Sequence, residues 1–506
     1  MRASFRFLHS GSRLALVAIL ALVAACTKDA TTPLAPTNVS EFKGAAHVKV
    51  DMCHKPGADR GRVIAVAGNA VGAHIGHGDY IAGLDVDKAN TAGDGVHFTR
   101  ISDAMSAADS TRRANGENLV AACRITISVG AGTYHGSFRT ANDTLEKLPL
   151  FIGVPDITLQ GALPMPVDAS LRASGAGLVG ASIIAPDRPM IPNQNVGPTA
   201  EALVVVADDI TGYHGDRAVV QNLRFRSGHN LTGATAGGVA IGALRVRDLV
   251  VRGNEFEPTI YTAIDFRAST ATFATNYGRR LGSGCNLCVA GPGNYQISGN
   301  RVIEGGFVGL FIAPVAVRPN FPMGLHTAIT VAPYTAPAVI ANSATVENND
   351  ISNHRGTPQG LGAGIRLLAF VFDAPASPQS STYQLTNNTL LHNVFGLIVD
   401  GNTTPIASPP TVPGNIDVTL SGNGIGPSCR NSLLVSFTRF SRTLGASATQ
   451  SYLSNSTYTI SLGGDTPWHG AWYDNSMGVG NALLVDGASI PMGKRVSPSD
   501  NPAGCP

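Results

Sequence analysis

Along the middle of the chain, short runs of alternating apolar and polar residues are each broken by an asparagine. The order is apolar, x, apolar, x, x, Asn, x, apolar. It reads Leu249-x-Val251-x-x-Asn254-x-Phe256, then Tyr295-x-Ile297-x-x-Asn300-x-Val302 and Ala344-x-Val346-x-x-Asn349-x-Ile351. Two more copies are Tyr383-x-Leu385-x-x-Asn388-x-Leu390 and Val418-x-Leu420-x-x-Asn423-x-Ile425. An earlier copy, Ala218-x-Val220-x-x-Leu223-x-Phe225, carries Leu in the Asn slot, and Ile157-x-Leu159 opens the series. Alternation marks a strand with one inward face. Asn suits the bend because it tolerates left-handed backbone geometry, and stacked Asn side chains can hydrogen-bond as a ladder. A second alternating run follows each bend. Ile264-x-Phe266, Leu310-x-Ile312 and Leu433-x-Val435 begin 10 residues after their Asn, Leu397-x-Val399 begins 9 after, and Ile365-x-Leu367 begins 16 after. Asn-to-Asn separations are 46, 49, 39 and 35 residues. Strands that persist while loops vary describe a solenoid with its insertions on one face.

The residue after each Asn slot should face outward. In successive copies it is Arg224, Glu255, Arg301 and Asp350. With coils about 4.8 Å apart, each charge is expected beside an opposite one, which stabilises cross-strand neighbours. Composition agrees with an all-β chain of many turns: 58 Gly, 31 Pro and only 14% charged residues in 506.

This pattern resembles the pectin lyase-like family of right-handed parallel β-helices over roughly residues 95–440. Ile101-x-x-Ala104, followed by Ile125-x-Ile127-x-Val129-Gly130-Ala131-Gly132-Thr133-Tyr134, looks like the family's entrance, a capping helix and a first strand. A cap is needed because an open end exposes a sheet edge and an apolar core. The resemblance implies possible chemistry on the outer face. Pectate lyase-type relatives hold Ca2+ with clustered acids and use Arg or Lys as base. Here the outward slots of the second strand read Asp265 and Arg267, Phe311 and Ala313, Arg366 and Leu368, then Ile398 and Asp400. Counted this way, Asp265 and Asp400 are three coils apart, about 14 Å, too far to share an ion whose ligands sit at about 2.3–2.6 Å. Arg366 and Asp400 read as a diagonal ion pair. Polygalacturonase-like relatives use an Asp pair, Gly-His-Gly and Arg-Ile-Lys in that order. Asp208-Asp209 is present, Gly76-His77-Gly78 precedes the helix, and Arg-Ile-Lys is absent, which argues against that chemistry.

The N-terminus adds a compartment. Arg2, Arg6 and Arg13 precede the apolar run Leu14 to Ala25, and no acid appears before Asp29. The run is short of the roughly 20 residues that span a bilayer, and reads as a secretory leader over residues 1–25. Val23-Ala24-Ala25-Cys26 resembles the bacterial lipobox, which implies lipidation at Cys26 and a partner membrane reached through the lipid. The other reading is an ordinary leader with a chance Cys. Residues 26–44 form a Thr/Pro/Ala tether. The formal charge of +2 falls to −1 without the three leader arginines, so bulk electrostatics gives no reason to expect nucleic acid. Six further cysteines, Cys53, Cys123, Cys285, Cys288, Cys429 and Cys505, allow 15 pairings. Outside the cytoplasm they are expected to pair. Cys285-x-x-Cys288 reads as a local disulfide or as members of two bridges, against a redox pair or half a zinc site.

Four sets of candidate site residues remain. Asp208, Asp209, His214, Asp216 and Arg217 crowd one loop and could serve general acid–base chemistry; a solvated, turn-rich loop is the other reading. Residues 45–85 form a small unit resembling a Cys-His-Lys…His-x-x-His-Gly-Asp module of secreted bacterial proteins. Its Cys53, His54, His74 and His77 could hold Zn2+, unless Cys53 is in a disulfide and the histidines bond locally. In residues 441–506, Trp468 and Trp472 are either a glycan platform or end-cap packing. The sequence requires no cofactor; Ca2+ and Zn2+ stand as the candidate ions. The reading that follows is an envelope-anchored β-helix lipoprotein, facing the periplasm or the exterior, that binds a glycan or another surface partner. The alternatives are a polysaccharide lyase or glycoside hydrolase, and a structural envelope protein.

Overall fold

The computed structural model describes residues 49–54, 61–88, 95–115, 123–138, 145–162, 181–188, 201–207, 214–226, 237–257, 260–267, 270–279, 285–290, 293–306, 308–313, 340–355, 362–368, 379–401, 414–428, 432–437, 455–465, 471–474 and 480–491, with 190 and 281. Cys26, Cys429, Cys505, Asp208, Asp209 and Trp468 lie outside these residues.

Three long sheets run the length of the molecule, one of 14 strands and two of 10. One coil shows how they are made. Leu249–Arg252 lies in the first sheet, Glu255–Phe256 in the second and Ile260–Arg267 in the third. Each strand pairs in parallel with its equivalent in the next coil. The chain is thus a right-handed parallel β-helix. Inward columns carry the alternation read from the sequence: Ile297, Val346, Leu385 and Leu420 sit in register and fully inside. One continuous apolar core runs from Cys53 to Ile490.

The asparagines stand in one column, closed by hydrogen bonds that all run the same way. Asn254 Nδ2 donates to Asn276 Oδ1 (3.2 Å), Asn276 to Asn300 (3.0 Å), and Asn300 to Asn349 (2.9 Å). Asn349 then donates to Asn388 and Asn388 to Asn423, both at 2.9 Å. Each Oδ1 also takes the backbone N–H of the preceding Asn. The second amide hydrogen goes to a backbone carbonyl, as from Asn300 to Phe273 O at 3.0 Å. At one end the Leu223 N–H donates to Asn254 Oδ1; at the other, Asn423 donates to the Asp465 carboxylate at 2.8 Å.

Asn276 belongs to a coil that the sequence pattern passes over. Ala271–Ala274, Tyr277–Arg279 and Cys285–Ala290 form a complete turn between those of Asn254 and Asn300. The apparent spacing of 46 therefore holds two coils. The signal is weak because Gly278 fills the last apolar slot, where a Cβ would lie 2.7 Å from Leu281 Cδ1. Two expectations change. Asp265 and Asp400 are four coils apart, about 19 Å at the coil spacing, through Cys288, Phe311, Arg366 and Ile398. The outward charges do not form one alternating run either, since Tyr277 separates Glu255 from Arg301. They form two pairs, Arg224–Glu255 at 3.8 Å and Arg301–Asp350 at 3.2 Å, and Arg224 lies closer to Glu257 at 2.7 Å.

The entrance is closed by the helix Ile101–Asn115, which buries Ile101, Ala104, Met105 and Ala108. Its first two N–H groups donate to the buried Glu146 carboxylate at 2.9 and 2.7 Å, a favourable partner for orphan donors at a helix start. The coils continue past residue 440: Thr457–Ser461 and Ala482–Val485 extend the first sheet, and Ala471–Asp474 extends the third. No helix among the described residues is long and apolar enough to cross a membrane.

Candidate functional site

The N-terminal unit is a three-stranded antiparallel sheet. Lys49–His54 lies between Arg62–Ala67 and Tyr80–Ile81. Cys53 faces Tyr80 in register, so His54 arrives beside Asp79. The short helix Val71–Gly76 ends in a tight turn: the His77, Gly78 and Asp79 N–H groups donate back to His74 or Ile75 carbonyls at 3.0–3.1 Å. Gly78 adopts φ +86°, the left-handed geometry that glycine provides at helix ends. This turn is the physical content of His-x-x-His-Gly-Asp, because it brings His74 and Asp79 onto the same spot. His54 Nδ1 donates to Asp79 Oδ2 at 2.8 Å, and His74 Nδ1 donates to the same oxygen at 2.7 Å. The two rings meet edge to face, 5.6 Å between centroids. The carboxylate is buried while both imidazoles are part-exposed.

This cluster corrects the ligand set read from the sequence. Cys53 is bonded to Cys123, a bridge that ties the unit to the chain segment entering the β-helix, so it offers no thiolate. His77 is exposed and outside the group; its backbone serves the turn instead. Asp79 takes the third place. Its position between Gly78 and the strand Tyr80–Ile81 is the signal that could have found it.

Of the loop cluster, His214 precedes a turn formed by Asp216 and Arg217. Arg217 has φ +55° and makes two bonds to the fully buried Asp156, 2.9 and 2.7 Å. Asp216 accepts the Arg247 N–H at 2.8 Å. Both residues thus tie neighbouring coils together. Trp472 lies on Ala471–Asp474, in register with Leu434.

Two outer faces are well defined. On the third sheet, Arg366 Nη2 donates to Asp400 Oδ2 at 2.6 Å, and both side chains are buried. The diagonal pair read from the sequence is present there. The Cys285–Cys288 disulfide also lies on this sheet. No cluster of acids is found on this face among the described residues.

The first sheet presents a different surface across five coils, from Gly293–Ser298 to Thr457–Ser461. Three outward columns stand in register. They are Asn294–Ser343–Thr382–Asp417–Thr459, Gln296–Thr345–Gln384–Thr419–Ser461 and Ser298–Glu347–Thr386–Ser421. Every one of these side chains is exposed or half-exposed. The face is a grid of hydroxyls and amides, about 4.8 Å between coils and about 7 Å along a strand. Its charges are Glu347 and Asp417, with no base among these positions.

No protein-family model matches the sequence, and no curated protein does. Solved structures that resemble the chain include DFA-IIIase from Arthrobacter chlorophenolicus, at 14% identity and a TM-score of 0.40 over 80% of this chain and 88% of that one. A mutant of the periplasmic alginate epimerase AlgG is 12% identical with a TM-score of 0.36, covering 72% and 77%. The A-module of an Azotobacter vinelandii mannuronan C-5 epimerase is 14% identical with a TM-score of 0.34, covering 79% and 96%. These are likenesses of winding alone. By its own strand pairing the chain has the parallel β-helix fold of the pectin lyase-like proteins that its sequence resembles.

Proposed function

We propose that the protein binds an uncharged glycan along the outer face of its first sheet. The observation that carries this reading is the grid of exposed Thr, Ser, Gln and Asn side chains over five coils. Sugar hydroxyls both donate and accept, and so do these side chains. A rigid sheet holds them at fixed spacing, so little ordering entropy is lost on binding. The two acids and the lack of a base on this grid disfavour polyuronates, which would meet like charge. The test is a panel of neutral and acidic glycans against the purified protein and a Thr345→Ala/Gln384→Ala/Thr419→Ala variant. The expected result is binding of a neutral glycan, weakened about tenfold or more by the variant at unchanged melting temperature. Equal binding by both proteins, or preference for acidic polymers, sinks the proposal. Release of reducing ends or unsaturated products in the same panel would turn the reading towards a carbohydrate-active enzyme.

The second part of the proposal is location: export, and anchoring through lipid on Cys26. The leader and its Val-Ala-Ala-Cys end support it. So do the Cys53–Cys123 and Cys285–Cys288 disulfides, a kind of bond that persists in oxidising compartments. Labelling with a radioactive fatty acid should mark the protein and fail in Cys26→Ser; equal labelling of both removes the anchor from that residue.

A further inference from the structure

We infer that His54, His74 and Asp79 form a binding site for a first-row divalent metal ion of the zinc class. The inference is independent of the glycan face, which lies on another part of the molecule. Three observations support it. First, both imidazoles aim the same nitrogen, Nδ1, at one carboxylate oxygen, at 2.8 and 2.7 Å, from two separate elements. Second, the donor set is two nitrogens and one oxygen, all within 4.8 Å of one another. That set suits Zn2+, which takes His and Asp ligands at about 2.0–2.2 Å, and does not suit Ca2+ or Mg2+, which want oxygen cages. Tetrahedral ligands at those bond lengths sit about 3.3 Å apart, so each imidazole nitrogen needs to draw back from Asp79 Oδ2 by only about half an ångström. Third, the carboxylate is buried beneath two part-exposed rings, leaving a solvent-facing side for a fourth ligand, water.

The scaffold is held at each ligand. His54 follows Cys53, which is fixed by the bond to Cys123. His74 and Asp79 are joined by the Gly78 turn, with the Asp79 N–H on the His74 carbonyl at 3.1 Å. Without metal, each Nδ1 carries the proton it donates to Asp79. On metal binding that proton leaves Nδ1, either to Nε2 of a neutral ring or to solvent from a charged one, and the nitrogen lone pair goes to the ion.

The experiment is Zn2+ titration of the full protein, purified without a histidine tag, against a competing chelating dye. The comparison set is His54→Ala, His74→Ala, Asp79→Asn and, as control, His77→Ala. Expected is one Zn2+ per chain, affinity lowered about tenfold or more in the first three variants and unchanged in His77→Ala, and no competition from Ca2+ or Mg2+. Substitution with Co2+ should give the visible absorption of a tetrahedral site, lost in His54→Ala. If Asp79→Asn fails to fold, the two part-exposed histidines still decide the matter. Binding unchanged in the His54→Ala/His74→Ala double variant, or no Zn2+ bound by the wild-type chain, overturns the inference and leaves the cluster as a brace for the turn.

Discussion

The ladder makes a prediction whose size can be worked from its bonds. Asn300 sits mid-column with four side-chain hydrogen bonds. It accepts from the Asn276 N–H (3.1 Å) and Nδ2 (3.0 Å), and donates to Phe273 O (3.0 Å) and Asn349 Oδ1 (2.9 Å). Asn300→Ala takes the acceptor away from two buried donors of Asn276, while Asn349 Oδ1 keeps the Asn300 N–H at 2.9 Å. A buried polar group left without its partner costs about 1–3 kcal/mol, so the substitution should cost about 4 kcal/mol. In a stacked-coil protein the loss falls on that coil and its neighbours. It should appear as a lower urea midpoint by circular dichroism, and as faster hydrogen exchange at the Asn276 backbone amide. Gln296→Ala, on the exposed side of the same coil, should stay within about 0.5 kcal/mol of wild type. If the two variants unfold and exchange alike, the column does not hold the coils together and the reasoning fails.

Further predictions rest on single features. Arg366→Met leaves the buried Asp400 carboxylate without its guanidinium and should cost about 3–5 kcal/mol, with most of the loss recovered in Arg366→Met/Asp400→Leu; a double variant as unstable as the single one in urea refutes the pairing. The Cys53–Cys123 bridge spans 70 residues, and the chain-entropy relation gives it about 4 kcal/mol. Cys53→Ser/Cys123→Ser should expose the N-terminal unit to protease before the coils, and simultaneous cleavage throughout would contradict that. His354 is fully buried, and burial pushes its pKa down to about 4 although its contact with Asn393 opposes the shift. Between about pH 6.5 and 4 the unfolded chain takes up a proton that the folded one refuses. Stability tied to this residue is therefore complete above pH 6.5, and about 3 kcal/mol is lost as pH falls to 4. His354→Gln should flatten that part of the stability–pH curve, and an unchanged slope would exclude the residue as its source.

Much of this fold could be read from residue order because its core repeats a local rule. An apolar alternation and one Asn are enough to place Leu249, Tyr295 or Tyr383 inward. The rule fails where one slot is filled by packing rather than type: Gly278 fits because Leu281 occupies the space, and its coil went uncounted. A second buried polar stack was also invisible. His354 contacts Asn393 and Asn286, residues 39 and 68 positions away with no common period. At the candidate metal site, two histidines were legible as ligand types. Asp79 was not, because its role depends on a turn three residues long and on a register between strands. Cys53 stood between a ligand and a disulfide for a related reason: spacing cannot choose among 15 pairings, and only the meeting of the N-terminal unit with residue 123 decides it. Asp216 and Arg217 stood between chemistry and a turn-rich loop, because charges in a loop look alike in sequence whether they face solvent or the buried Asp156.

Every amide in the asparagine column faces the same way, so the column is directional, like a queue in which each member holds the next. Asp465 ends that queue: it takes the hydrogen offered by Asn423 and has no amide with which to pass one on. Coils inserted anywhere between Asn254 and Asn423 would find a donor on one side and an acceptor on the other, provided they bring their own Asn. Beyond Asp465 the first sheet goes on for another parallel strand, Ala482–Val485, but the column does not, because a carboxylate has no hydrogen to offer a further amide oxygen.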